Sequence, residues 1–184
     1  MKSTIRKSPY ASTDYSQNNQ ANVRSQAVFL FSHTIIRGKI MRLLRTFKKR
    51  SANLQDLQSY LTSFRVLNRS YKGVQFVKIN QILGSEGRIK DFDKFFNPIH
   101  ERTRGRWVNI ARIRMSGSEL PPVELIQVGE IYFVRDGHHR ISVARAIGED
   151  FIDAEVIEWD VLPNAKVKPT STFLHNASAA EQSI

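Results

Sequence analysis

The stretch Ile131-Tyr132-Phe133-Val134-Arg135-Asp136-Gly137-His138-His139-Arg140-Ile141 passes from a β-rich run into a helical one with only a few polar residues between them. Residues 131–134 carry the branched and aromatic side chains that suit a strand, while Ile141, Ala144 and Ile147 repeat at the spacing of one helical face. Gly148 is well placed to end that helix. A helix that starts directly after a strand presents unpaired N–H groups and a partial positive charge, which favours an anion. Gly137 permits close approach by a ligand or by another backbone. His138, His139 and Arg140 fall in the first turn, where cations oppose the helix dipole, so a phosphate or carboxylate is expected to neutralise them. Asp136 is expected to cap the helix, and it also supplies a carboxylate for a base, metal or hydroxyl role. A plainer reading stands beside this one: Asp-Gly is an ordinary turn, and histidines on a surface can simply sit in water. Adjacent histidines diverge by about 100° around a helix, so they do not converge on one ion and no metal site is expected.

The neighbouring segments extend the pattern. Residues 123–128 and 131–134 read as two strands joined by a tight hairpin at Gly129-Glu130, and residues 153–159 have the composition of a closing strand. A helix is expected over 102–115, with Trp107, Ile110 and Ala111 on one face and Arg102, Arg106 and Arg112 among its charges. Residues 74–82 read as a strand leading into the loop Gly84-Ser85-Glu86-Gly87-Arg88. That loop lacks the lysine and the spacing of a P-loop, yet its backbone and Arg88 are candidate phosphate donors. Glu86 is a candidate general base or magnesium ligand, with a solvated loop acid as the alternative.

The N-terminal part differs in charge. Of 184 residues, the first 50 hold 11 Lys or Arg and one acid, a net of +10, whereas the remaining 134 hold 17 and 16, a net of +1. Residues 1–26 are rich in Ser, Asn and Gln and read as a disordered polar tail. Residues 27–70 read as a basic amphipathic helical arm. Within it, Ile36, Ile40, Leu43, Leu44 and Phe47 recur at helical spacing, and 53–67 reads as another helix or a helical linker, with Leu54, Leu57, Leu61 and Phe64 at spacings of three and four. Arg37, Lys39, Arg42, Arg45, Lys48, Lys49 and Arg50 are the candidate polyanion contacts, for DNA, an anionic membrane surface or the solvated face of a packed helix. The body is expected over 71–160, followed by a flexible C-terminal tail over 161–184.

Composition removes several function classes. With no cysteine, disulfide scaffolds, thiolate zinc sites and cysteine nucleophiles are excluded, and a cytoplasmic location fits. The longest uncharged apolar-rich run, 27–36, is far shorter than the roughly 20 residues that span a bilayer, so no transmembrane segment is expected. An acid-poor, arginine-bearing N-terminus is also the composition of an organelle transit peptide.

Residues 74–159, with the strand into 84–88, the hairpin and Asp136-Gly137-His138-His139-Arg140 opening a helix, resemble the ParB/sulfiredoxin superfamily. The resemblance implies an α+β fold, a small mixed sheet with packed helices, here preceded by the basic helical arm. It implies a nucleotide-phosphate pocket between the helix start and the 84–88 loop, built by Gly84, Ser85, Arg88, Gly137, His138, His139 and Arg140. Sulfiredoxin chemistry requires a cysteine at the phosphate motif and is excluded. The motif departs from that of the chromosome-partitioning members, and the residues after Trp159 leave no room for their DNA-binding domain. The Asp-Gly-His-His-Arg form looks more like the ParB-like free serine kinases, which implies Glu86 or Asp136 as base and a nucleoside di- or triphosphate with Mg²⁺ as cofactor. Three functions follow as expectations: a nucleotide-binding module whose arm contacts DNA nonspecifically, a small phosphotransferase or nucleotide hydrolase, and a noncatalytic protein that docks through its basic helix. Oligomeric state is not legible.

Overall fold

A computed structural model describes residues 11–47 and 53–164. In chain order the elements are α1 (Ala11–Phe47), β1 (Gln55–Asp56), α2 (Leu57–Leu61), β2 (Phe64–Lys78), β3 (Ile82–Ser85), α3 (Arg104–Met115), β4 (Val123–Val128), β5 (Ile131–Asp136), α4 (His138–Ile147) and β6 (Phe151–Pro163). The strands form one mixed sheet in the order β1-β3-β5-β4-β6-β2. Pairs β1/β3, β3/β5 and β4/β6 are parallel, while β4/β5 and β2/β6 are antiparallel. The expected α+β class, with a mixed sheet and packed helices behind a helical N-terminal segment, is what the chain adopts.

The central strands are buried on both faces, so their residues divide between two cores. Val123, Leu125 and Val134 join Ile82, Ala154, Val156, Phe92 and the α4 residues Ile141 and Ala144 on one side. Ile126, Val128, Phe133 and Trp159 pack under Leu57 of α2 on the other. A third cluster joins α1 to α3 and α4 through Ala27, Phe31, Ile35, Trp107, Ala111 and Val143. The Phe31 and Trp107 rings lie 5.5 Å apart, and Trp107 Nε1–H donates to Ser142 Oγ at 2.8 Å. This satisfies the one polar atom that burying a tryptophan leaves needing a partner.

The hairpin, α3, α4 and its Gly148 cap lie where the local pattern places them. Other boundaries move. α1 starts at Ala11, so residues 11–26 are helical rather than a disordered tail. Once Ala27, Phe31 and Ile35 anchor the helix, extending it through weak helix formers adds one bond per residue fixed. Residues 1–10, 48–52 and 165–184 lie outside the described residues.

The expected helix over 53–67 is only α2. Asp56 caps it, accepting from the Ser59 N–H at 3.0 Å and the Ser59 hydroxyl at 2.8 Å. From Phe64 onward the chain pairs instead with β6, Phe64 lying opposite Pro163 and Lys78 opposite Phe151. The body therefore begins well before residue 71, and residues 161–163 belong to a strand instead of the tail.

Candidate functional site

The site is the junction of β5, the 84–88 loop and the start of α4. Gly137, not Asp136, is the N-cap of α4; its φ is 95° and no side chain caps the helix. A β-carbon there would strike Val123, so glycine serves the left-handed turn and the close approach of the protein's own side chain rather than of a ligand. Helical bonding starts with the Ile141 N–H donating to Gly137 O at 3.0 Å. The N–H groups of His138, His139 and Arg140 thus precede the first intrahelical bond and form the positive end of the helix.

Both histidines are buried, each 5% exposed. Phe92, carried by the aromatic segment between β3 and α3, packs against both, nearly parallel to His138 at 6.0 Å and edge-on to His139 at 5.2 Å. Burial first, then the Arg88 charge, pushes His138 down to about 4, against the pull of Asp136. Burial, then Arg106 and Arg88, pushes His139 down to about 4. Both rings are therefore neutral at pH 7, which corrects the expectation of a cationic His-His-Arg cluster. Positive charge at the pocket comes from Arg106, from Arg88, which lies 3.9 Å from the Asp91 carboxylate, and from Arg140, which pairs with Asp136.

Ser85 explains much of the local order. Its buried Oγ accepts the Gly87 N–H at 3.1 Å and the Arg88 N–H at 3.0 Å, and it lies 2.7 Å from His138 Nε2. With both acceptor positions occupied, the hydroxyl proton goes to His138 Nε2, which fixes that nitrogen as the unprotonated one. The Glu86 N–H donates to Val134 O at 3.0 Å. The loop's amides at 86, 87 and 88 are thereby all engaged within the protein, so neither they nor Ser85 stand free as phosphate donors. Gly84 is likewise a packing residue: a β-carbon would collide with Gln55 O and with the Phe133 ring.

The remaining predicted residues are tied as well. Arg140 donates to Pro121 O and Pro122 O, both at 2.6 Å, and to Asp136 Oδ2 at 2.6 Å. Its guanidinium braces the approach to β4. Burial raises the Asp136 carboxyl, but the Gly137 N–H, Arg140, His138 and Arg106 outweigh that and hold it below its ordinary value. A carboxylate so held is a weak base. Glu86 pairs with Arg135 at 3.3 Å.

Arg88, Arg106, Ile110, Asp136, Gly137, His138, His139 and Arg140 line a cavity of about 20 Å³. That holds one water-sized group, such as a single terminal oxygen of an anion, and not a nucleoside. His139 Nδ1 is buried beside it with no hydrogen-bond partner. Arg106 and Ile110 come from α3; sequence reading placed Arg106 only among that helix's charges. A larger cavity, about 850 Å³, lies between α1 and the body at the other end of α4, with His33, Arg37, Asn80, Asn97 and Arg145 among its walls.

Of the polyanion candidates, Arg37 and Lys39 are exposed on α1 and Arg42 is half-buried. Arg45 lies within the helix, and Lys48, Lys49 and Arg50 lie outside the described residues. No helix among the described residues is long and apolar enough to cross a membrane.

No protein-family model matches the chain, and no curated protein does. Among solved structures the chain is similar to the sulfiredoxin of Arabidopsis thaliana, with 16% sequence identity and a TM-score of 0.34, over 47% of this chain and 86% of that one. The six-strand mixed sheet and its packed helices are an α+β arrangement.

Proposed function

We propose that the start of α4 binds the terminal phosphate of a nucleotide. The observation that carries this reading is one small cavity at the helix start, lined by Arg88, Arg106 and the first-turn residues His138, His139 and Arg140, where the buried His139 Nδ1 has no hydrogen-bond partner. Neutral His139 bearing its proton on Nδ1 would donate to a phosphate oxygen. Arg88 and Arg106 would supply the counter-charge that the neutral histidines do not. The only carboxylate lining the cavity is Asp136, and Arg140 already pairs with it. Magnesium would thus arrive on the nucleotide phosphates instead of being held by the protein beforehand. Arg37, Lys39 and their neighbours on α1 would add salt-dependent, nonspecific contact with DNA.

Calorimetric titration with ATP, ADP and CTP, with and without Mg²⁺, tests the reading. Arg106→Ala is expected to weaken binding about tenfold, the loss of one charge-assisted bond. Equal affinity in wild type and Arg106→Ala, or no nucleotide binding at all, would refute it. Adding serine and following phosphoserine separates binding from phosphotransfer. Transfer would require Glu86 to leave Arg135, and Glu86→Gln would then abolish product while leaving nucleotide affinity unchanged.

A further inference from the structure

The outer face of α1 repeats its side chains at alternating intervals of four and three residues. Phe29, His33, Ile36, Ile40 and Leu43 hold these positions, His33 lying at the border where it also walls the cavity between α1 and the body, and the spacing continues in the sequence at Phe47. Phe29 is 74% exposed, Ile36 55%, Ile40 52% and Leu43 60%, with Leu44 beside them at 49%. This is the period of a coiled-coil seam, with His33 and Ile40 at a and with Phe29, Ile36 and Leu43 at d. The buried residues that hold α1 to the body, Ala27, Phe31, Thr34, Ile35 and Gly38, fall at b, c and f, on the opposite side. α1 therefore has two apolar faces, and the described residues cover one of them. A surface helix needs a single apolar stripe, so the second has a separate cause.

We propose that a second copy of this chain covers it, through parallel, in-register pairing of two α1 helices. The charges flanking the seam favour this occupant. None of the seam positions from Phe29 to Leu43 is Lys, Arg, Asp or Glu. In the parallel register the g and e positions set Ser32 against Arg37 and Lys39 against Leu44 of the second copy, so two basic helices meet without a like-charged pair. The stripe also has the narrow width of a seam, with Ser32 and Lys39 at its border, unlike the broad apolar arc of a helix lying on a membrane. Covering these side chains removes roughly 500 Å² from each copy, about 1,000 Å² in the pair, which reaches the size of a specific interface.

Because the chain has no cysteine, a single one introduced into the seam is a unique reporter. Oxidation of full-length Ile36→Cys is expected to give a disulfide-linked dimer, since matching d positions face each other, whereas Asn109→Cys, at an exposed position of α3 away from the seam, forms no disulfide cross-link. By sedimentation equilibrium the unmodified chain should be a dimer whose population holds or rises between about 50 and about 500 mM salt, as repulsion between the basic helices is screened. The double variant Ile36→Glu, Leu43→Glu should sediment as a monomer with unchanged helical circular dichroism. A wild-type chain that is monomeric at about 100 μM overturns the proposal. So does association that appears only with DNA or anionic vesicles and is lost as salt rises.

Discussion

The first turn of α4 and the outer face of α1 reverse each other's appearance. Read as residue types, the α4 turn is polar and cationic and belongs in water, while the α1 stripe is apolar and belongs in a core. In the fold the two histidines are 5% exposed and uncharged, whereas Ile36 and Leu43 are more than half exposed. The polar turn is held by internal bonds, namely Ser85 to His138, Arg140 to the carbonyls of Pro121 and Pro122, and Asp136 to Arg140. The apolar stripe is covered by nothing among the described residues. Burial assigns the role in each case, and it depends on what packs above the residue.

This contrast is open to measurement, and its largest consequence concerns acid. His138 and His139 are depressed to about 4 in the folded chain against an ordinary 6.5, so the unfolded chain binds more protons between those values. Stability from the neutral, buried rings is complete above about pH 6.5 and is lost as pH falls from there through about 4, on the order of 3 kcal/mol for His138 and less for the more solvent-screened His139. Urea melts across that range should show the loss, and replacing both histidines by glutamine should flatten it. A flat wild-type profile would mean that the rings are solvated after all.

Within α1, Phe31→Ala empties the covered face beside Trp107 and is expected to cost about 3–5 kcal/mol in the same assay. Ser85→Ala removes one hydroxyl and strands the Gly87 and Arg88 amides and His138 Nε2. About 2 kcal/mol is expected, with faster hydrogen exchange at the amides of residues 87 and 88 as its local signature. Smallest is Ile36→Ser on the uncovered face, expected within about 0.5 kcal/mol when measured on dilute, monomeric protein. If Ile36→Ser matched Phe31→Ala under those conditions, the two faces of α1 would not differ in the way described.

Local pattern was sufficient for the hairpin at Gly129-Glu130, for α3, for α4 and for its Gly148 cap, because each is specified by side chains a few residues apart. It misassigned residues 64–67 as helix, since Leu57, Leu61 and Phe64 keep helical spacing while the partner of β2 is β6, nearly a hundred residues away. Arg106 illustrates the same difficulty for the site. Nothing about an arginine on α3 marks it as a neighbour of His139, and only the packing of α3 beside α4 brings its charge to bear.

The amino-acid order thus carries the element types along most of the body, the uneven distribution of charge, the absence of thiol chemistry and the position of the strand-to-helix turn that holds the site. Those properties depend on short-range sterics and on composition. The protonation state of the histidines, the engagement of Ser85, Arg140 and the 86–88 amides within the protein, and the division of α1 into covered and uncovered faces are properties of the folded chain. They depend on desolvation and on contacts between segments far apart in sequence, such as Ser85 with His138 and Phe31 with Trp107.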